Sequence, residues 1–250
     1  MTTTQSTPSY LYGFMRTPAE PLPELVGVFG APVLVQADGD LAAIVSPLAG
    51  IPARATRDEL MAHSDVLQCL VADYDVVPAS FGGVHADGFR LDALPRDDKK
   101  TIARLVAELS GRVEIQVKGQ YDEAHVTLAL VEGDARLKRL RASQRQSHAT
   151  QLAIGTRFAE VLDRRRRSDV HTVTKRLSRI AYRVALDEPM GEWGAFRLAL
   201  LVARNNLEAA ERVLSEVEAL LAPAMDVTWI GPLPPYSFVQ SGSARRRKAG

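Results

Sequence analysis

Five histidines (His63, His85, His125, His148 and His171), the lone Cys69 and two acidic pairs, Asp58-Glu59 and Asp97-Asp98, are the first residues to weigh for proton transfer, nucleophilic attack or metal binding. Their spacing argues against each use. The histidines are scattered, with no H-E-x-x-H and no pairing that would set two imidazoles on one metal. No G-x-S-x-G elbow, phosphate loop or G-x-G-x-x-G is present. Cys69 lies among Leu67 and Leu70 and reads as a buried structural thiol, since nothing nearby would lower its pKa. The acidic pairs stand where helices begin, and carboxylates complement a helix dipole there. Phe81-Gly82-Gly83 with His85-Ala86-Asp87-Gly88 could cradle an anion on backbone N–H groups. It lacks a following Lys-Ser/Thr, so a tight connection needing positive φ is the simpler reading. No catalytic set, metal site or cofactor is expected.

Charge is the other resource. The chain of 250 residues carries a formal +1, but residues 1–133 hold a net −8, residues 134–183 a net +10 and residues 184–250 a net −1. The basic segment includes Lys138, Arg139, Arg141, Arg145 and the run Arg164, Arg165, Arg166, Arg167. Such a segment can be a solvated helix face, can dock on an acidic surface, or can bind nucleic acid. Nucleic-acid binding is the least favoured, because the Lys/Arg-Gly-Phe/Tyr-Gly/Ala-Phe-Val stacking motif is absent. A lone cysteine, a polar N-terminus and no apolar run of membrane length predict a cytoplasmic protein outside the bilayer.

The elements that must position these residues follow from periodicity. Tyr10 to Met15 alternates as a strand and predicts Tyr10, Tyr12 and Phe14 on one face. Pro32–Gln36 and Leu41–Ser46 flank Asp38-Gly39, a hairpin signal. A helix is predicted over Thr56–Tyr74, capped by Thr56, with Leu60, Leu67 and Val71 as its apolar stripe. A short strand at Asp75–Val77, a helix over Asp97–Leu109 and a strand over Arg112–Lys118 complete a first α+β domain.

The second domain is predicted to start with a strand at Ala124–Val131. A helical region over Asp134–Lys175 follows, broken near Ser168-Asp169. Strands at Arg179–Leu186 and Phe196–Ala203, a helix at Asn205–Leu221 and a strand at Val227–Ile230 complete it. The fold class is therefore α+β, two ferredoxin-like sandwich domains, the second with a long basic helical region. The predicted boundaries are residues 1–9 disordered, 10–120 and 121–239 as domains, and 240–250 as a disordered basic tail.

The most distinctive string is Ile230-Gly231-Pro232-Leu233-Pro234-Pro235-Tyr236-Ser237-Phe238-Val239. Its prolines supply no ladder donors, so the closing strand should stop there and turn extended, with its aromatics stapling it to a domain surface. This ending resembles the signature of the gas vesicle protein L/F family. Three further strings match in the family's order: Tyr10-Leu11-Tyr12-Gly13-Phe14, Val77-Pro78-Ala79-Ser80-Phe81-Gly82, and Val113-Glu114-Ile115-Gln116-Val117-Lys118. Together they span Tyr10 to Val239.

The resemblance implies a minor component or assembly factor of gas vesicles without catalytic activity or cofactor. It implies partners among the small hydrophobic shell protein and other gas vesicle accessory proteins, and a cytoplasmic, vesicle-associated location. The family-motif positions it marks are Tyr10, Tyr12, Gly13, Pro78, Phe81, Gly82, Glu114, Lys118, Gly231, Pro232, Pro234, Pro235, Tyr236 and Phe238. The alternatives are a nucleic-acid-binding module using residues 134–183 and, less favoured, a small-molecule enzyme of ferredoxin-like fold centred on the Phe81–Gly88 loop.

Overall fold

A computed structural model of the chain describes residues 7–52, 54–142 and 147–239. The predicted disorder of both termini lies outside the described residues except at 7–9, where the first strand has already begun at Ser9. The chain divides into two compact units, Met1–Glu114 with Pro232–Gly250, and Ile115–Gly231. The break thus falls several residues earlier than the 120/121 boundary read from the sequence, and the proline-rich ending belongs with the first unit.

The first unit is built on β1 (Ser9–Arg16), β2 (Leu34–Asp38), β3 (Leu41–Pro47), α1 (Arg57–Val71), β4 (Val77–Pro78), β5 (Val84–His85) and α2 (Arg96–Leu109). The sheet runs β2-β3-β1-β4, with β5 also on β1, and its pairings are antiparallel. The predicted hairpin closes at Gly39, whose φ of +62° suits glycine. The register of β1 against β3 slips between Leu11 and Gly13, leaving Tyr12 as an inserted residue. This bulge changes which side chains face the core. Tyr10 and Tyr12 pack inward with Met15, Ile44, Leu67 and Leu70. Phe14, predicted to join them, turns to the opposite face and sits edge-on to Phe89 with ring centroids 5.9 Å apart.

Helix α1 starts as expected, with the Glu59 carboxylate accepting from the Thr56 N–H at 3.1 Å. Its buried stripe is His63, Val66, Leu67, Leu70 and Val71. Leu60 is 43% exposed, and Cys69, expected in the core, is exposed. The 3.6-residue period turns Cys69 away from the buried face, whereas Leu60, in line with Leu67, is exposed in the helix's first turn.

The second unit uses β6 (Arg112–Tyr121), which straddles the boundary, α3 (Glu123–Gly133), α4 (Ala135–Ala142), α5 (His148–Leu177), β7 (Arg183–Asp187), β8 (Gly194–Ala203), α6 (Leu207–Leu221) and β9 (Met225–Leu233). Its sheet order, β7-β8-β6-β9, is that of a β-α-β-β-α-β unit with β6 as first strand. The segment Ala124–Val131, predicted as that first strand, is helical. Asp122 caps it by accepting from the His125 N–H at 2.8 Å, and burial falls on Val126 and Leu130, four residues apart. Leu128, midway between them, is 58% exposed.

No break occurs at Ser168-Asp169 either. Asp169 stays inside α5 because its carboxylate accepts from the Tyr121 hydroxyl at 2.8 Å and from Arg165 at 2.7 Å. β9 runs through Pro232 to Leu233, further than predicted; it is an edge strand, where a missing N–H is tolerated. Among the described residues no helix is long and apolar enough to cross a membrane.

Candidate functional site

The family-motif strings from β1, the Phe81-Gly82 turn, Glu114 and the C-terminal ending meet in the first unit, around a residue that none of them contains. His63 is buried on α1, and its imidazole stacks on Tyr12 at 5.7 Å with 15° between planes. Its Nδ1 lies 3.0 Å from the Tyr10 hydroxyl, and its Nε2 lies 2.9 Å from the Tyr236 hydroxyl. The Gly82 N–H donates to the Tyr10 hydroxyl at 3.1 Å. Tyr10 is fully buried, so its own proton must go to Nδ1. That leaves the histidine proton on Nε2, donated to the hydroxyl of the half-buried Tyr236. Phe81 closes the side, its ring 5.6 Å from His63 and 6.4 Å from Tyr10.

A second chain of hydrogen bonds runs beside the first. The Val28 N–H donates to the Tyr12 hydroxyl at 2.9 Å, Tyr12 lies 2.9 Å from Ser46 Oγ, and Ser46 donates to the Pro32 carbonyl at 2.8 Å. Because the Ser46 proton is committed to Pro32, Tyr12 must be the donor to Ser46. Gly27 passes so close over this hydroxyl that a Cβ there would overlap it. Gly13 is constrained in the same way, since a Cβ would strike the Val77 carbonyl beside Pro78. Both glycines permit close approach of backbone or hydroxyl.

The ending is tied down by Glu114, a fully buried carboxyl on β6. The Ser237 N–H donates to Oε2 and the Ser237 hydroxyl to Oε1, both at 2.9 Å. The Gln68 side chain donates to the Pro232 carbonyl at 2.8 Å. Pro234 and Pro235 are buried, and Tyr236–Val239 forms a helical turn rather than the extended segment predicted, with Phe238 buried. Glu114→Ala is expected to cost about 1–3 kcal/mol, because Ser237 donors lose their acceptor. Chemical denaturation reads the loss, and proteolysis at the ending should quicken with it. Glu114→Gln, which keeps an acceptor oxygen, should lose less.

Electrostatically the cluster is neutral. Burial lowers the His63 pKa to about 4 and pushes Tyr10 up to about 12; the Gly82 hydrogen bond opposes the latter only in part. Burial, then the neighbouring Tyr10 and Glu114, also raises Tyr236. None of these groups changes protonation near neutral pH, whereas a general acid or base works best with a pKa close to it. The arrangement acts as a clasp.

The remaining marked residues lie elsewhere. Lys118 is exposed on the second unit's sheet, and Gly231 is exposed on β9. In the Phe81–Gly88 loop, Gly82 and Gly88 adopt φ of +92° and +74°. Their N–H groups are spent on Tyr10 and on the His85 carbonyl, so neither glycine offers its amide to an anion. Of the arginine run, Arg164 and Arg167 are exposed. Arg165 pairs with Asp169 at 2.7 Å, and Arg166 pairs with Asp163 at 3.1 Å and donates to the Gly194 carbonyl. Two of the four arginines in this run therefore serve the second unit's own packing. Elsewhere in that unit Arg157 bonds to Asp134 at 2.6 Å and holds its carboxyl down at about 2. Among the described residues no group of three or more His, Cys, Asp or Glu side chains could hold a metal. His63 is the residue that motif reading missed. Its position in step with Val66, Leu67 and Leu70 was the available signal.

The fold and this cluster define a two-unit α+β protein whose most developed polar site is a neutral structural clasp. The chain belongs to the gas vesicle synthesis protein GvpL/GvpF family, whose model matches residues 8–240. It is similar to gas vesicle protein F of Streptomyces sp. (strain CB03234), 31% identical over 240 residues, covering 93% of this chain and 99% of the relative. Gas vesicle protein F of Haloferax mediterranei is 25% identical over 235 residues, 92% of each chain. The fold matches the crystal structure of GvpF from Anabaena sp. PCC7120 with a TM-score of 0.82 at 23% identity, over 94% of this chain and 99% of that one. The GvpF structure from Microcystis aeruginosa matches with a TM-score of 0.75 at 21% identity, again over 94% and 99%.

Proposed function

We propose that this chain is a non-catalytic accessory or minor structural protein that binds the hydrophobic shell protein and supports gas vesicle assembly. It works at the vesicle in the cytoplasm with other gas vesicle accessory proteins. The observation that carries this reading is the family match over residues 8–240, which takes in every marked string. The neutral state of His63 and Tyr10 supports a role without proton transfer.

An apolar surface supports the hydrophobic partner. Val26 is 75% exposed, and Phe29 and Leu34 lie exposed near it around the 3-10 turn Val28–Gly30. Phe29 holds φ of +55°, a conformation costly for a bulky side chain. Apolar side chains grouped on a surface call for a partner. Co-purification of the tagged full chain with the shell protein, together with vesicle counts after deletion of its gene, tests the proposal. Capture and loss of vesicles are expected; normal vesicles with no capture would overturn it. Phe29→Asn should weaken capture while leaving the melting temperature unchanged or slightly higher, since asparagine tolerates that backbone better.

A further inference from the structure

The second unit leaves one sheet edge open beside an apolar hollow. β7 ends the strand order and, among the described residues, pairs with β8 alone, from Arg183↔Leu201 to Asp187↔Arg197. Between β7 and α5 lies a crevice of about 560 Å³, lined by Val170, Val184, Leu186 and Phe196. Leu186 is 61% exposed, a large apolar side chain in water on the unpaired edge. An uncovered strand edge offers N–H and C=O groups to another strand, and sheets that do not use such an edge usually block it. On the crevice wall stand Arg167 and His171, both exposed and, among the described residues, without a carboxylate partner. Of the two acids in the lining, Asp163 on the same wall is occupied by Arg166 at 3.1 Å, and Asp187 stands at the end of β7 in register with Arg197.

We propose that β7 and this crevice form a strand-addition site for an extended segment of another protein, apolar at alternate residues and acidic where it passes α5. The edge would supply the hydrogen-bond ladder that holds such a segment. A strand sends every second side chain to one face, so apolar residues at that spacing enter the crevice beside Val184 and Leu186. Arg167 then selects an acidic residue over a basic one, with the His171 imidazole beside it. A second copy of this chain fits less well. Two β7 strands paired about a twofold axis would bring Arg167 of both chains to the same face, like charge against like. The site is separate from the His63 clasp and does not depend on which protein brings the segment.

The test uses the full chain and a panel of fluorescein-labelled hexapeptides with Val, Ile or Leu at alternate positions and one Glu, read by fluorescence anisotropy. Members of the panel are expected to bind. Leu186→Lys and Arg167→Glu should each weaken binding roughly tenfold or more, through lost apolar contact and reversed charge respectively. Replacing the peptide Glu by Lys should weaken wild-type binding and restore binding to Arg167→Glu. Both substituted residues are exposed, so unchanged melting temperatures are expected to accompany these losses. Methylating the peptide backbone nitrogens on the ladder side should abolish binding. A panel in which nothing binds more tightly than about 1 mM overturns the proposal. So does binding that survives both substitutions or the backbone methylation.

Discussion

Tyr12→Ala should destabilise the first unit by about 3–5 kcal/mol, the range for truncating a buried aromatic side chain. Tyr12 is completely buried, stacks on His63 and occupies the bulge that sets the register of β1. Tyr12→Phe separates packing from hydrogen bonding, because the ring stays and only the hydroxyl goes. The buried Val28 N–H then loses its acceptor, which should cost about 1–3 kcal/mol. Urea denaturation of both variants checks the pair. The clasp predicts a clear gap between them; equal losses would mean that the hydroxyl carries the whole effect. A phenylalanine variant as stable as the wild type would mean that the hydrogen-bond chain through Ser46 contributes nothing net.

Mild acid should loosen the same unit through His63. His63 takes up a proton at its ordinary pKa of 6.5 when unfolded, but only near 4 when folded. Between those values the unfolded chain binds more protons, so stability falls as pH falls. The window is pH 6.5 down to 4, and the shift corresponds to a loss of about 3 kcal/mol once both limits are passed. The physical cause is burial. Protonation would put a charge among Tyr10, Tyr12, Phe81 and Tyr236, with Nδ1 no longer able to accept the Tyr10 proton. Denaturation midpoints measured across that window give the slope. His63→Gln should start lower at pH 7 and show a flatter profile down to pH 4. An equally steep profile in that variant would assign the pH dependence to another group.

Elements with strong local signals are legible in the residues alone. Asp38-Gly39 turns the hairpin, Thr56 and Glu59 open α1, and the 112–118 alternation marks the core of β6. The helix at 207–221 buries Ala210, Leu214, Val217 and Leu221, as its period requires. Where two periods fit the same residues, sequence reading errs. Val126, Leu128 and Leu130 satisfy alternation, yet Val126 and Leu130 also satisfy a helix, and the Asp122 cap tips the balance. Ser168-Asp169 looks like a breaker in isolation; Asp169 is held in the helix by Arg165 one turn back and by Tyr121, 48 residues away.

The candidate site divides in the same way. Its motif residues could be named from the sequence because glycine, proline and aromatic strings are local chemistry. Their convergence could not, because it depends on contacts such as His63 to Tyr236, 173 residues apart, and Ser237 to Glu114, 123 apart. The sequence by itself determined the α+β class, most element positions and the family resemblance, all properties of short-range pattern and composition. The tertiary structure alone decided that Phe14 leaves the core, that Cys69 faces water and that a histidine outside every motif sits at the centre of the clasp. A one-residue bulge reverses every side chain beyond it, and burial is set by what packs from elsewhere in the chain.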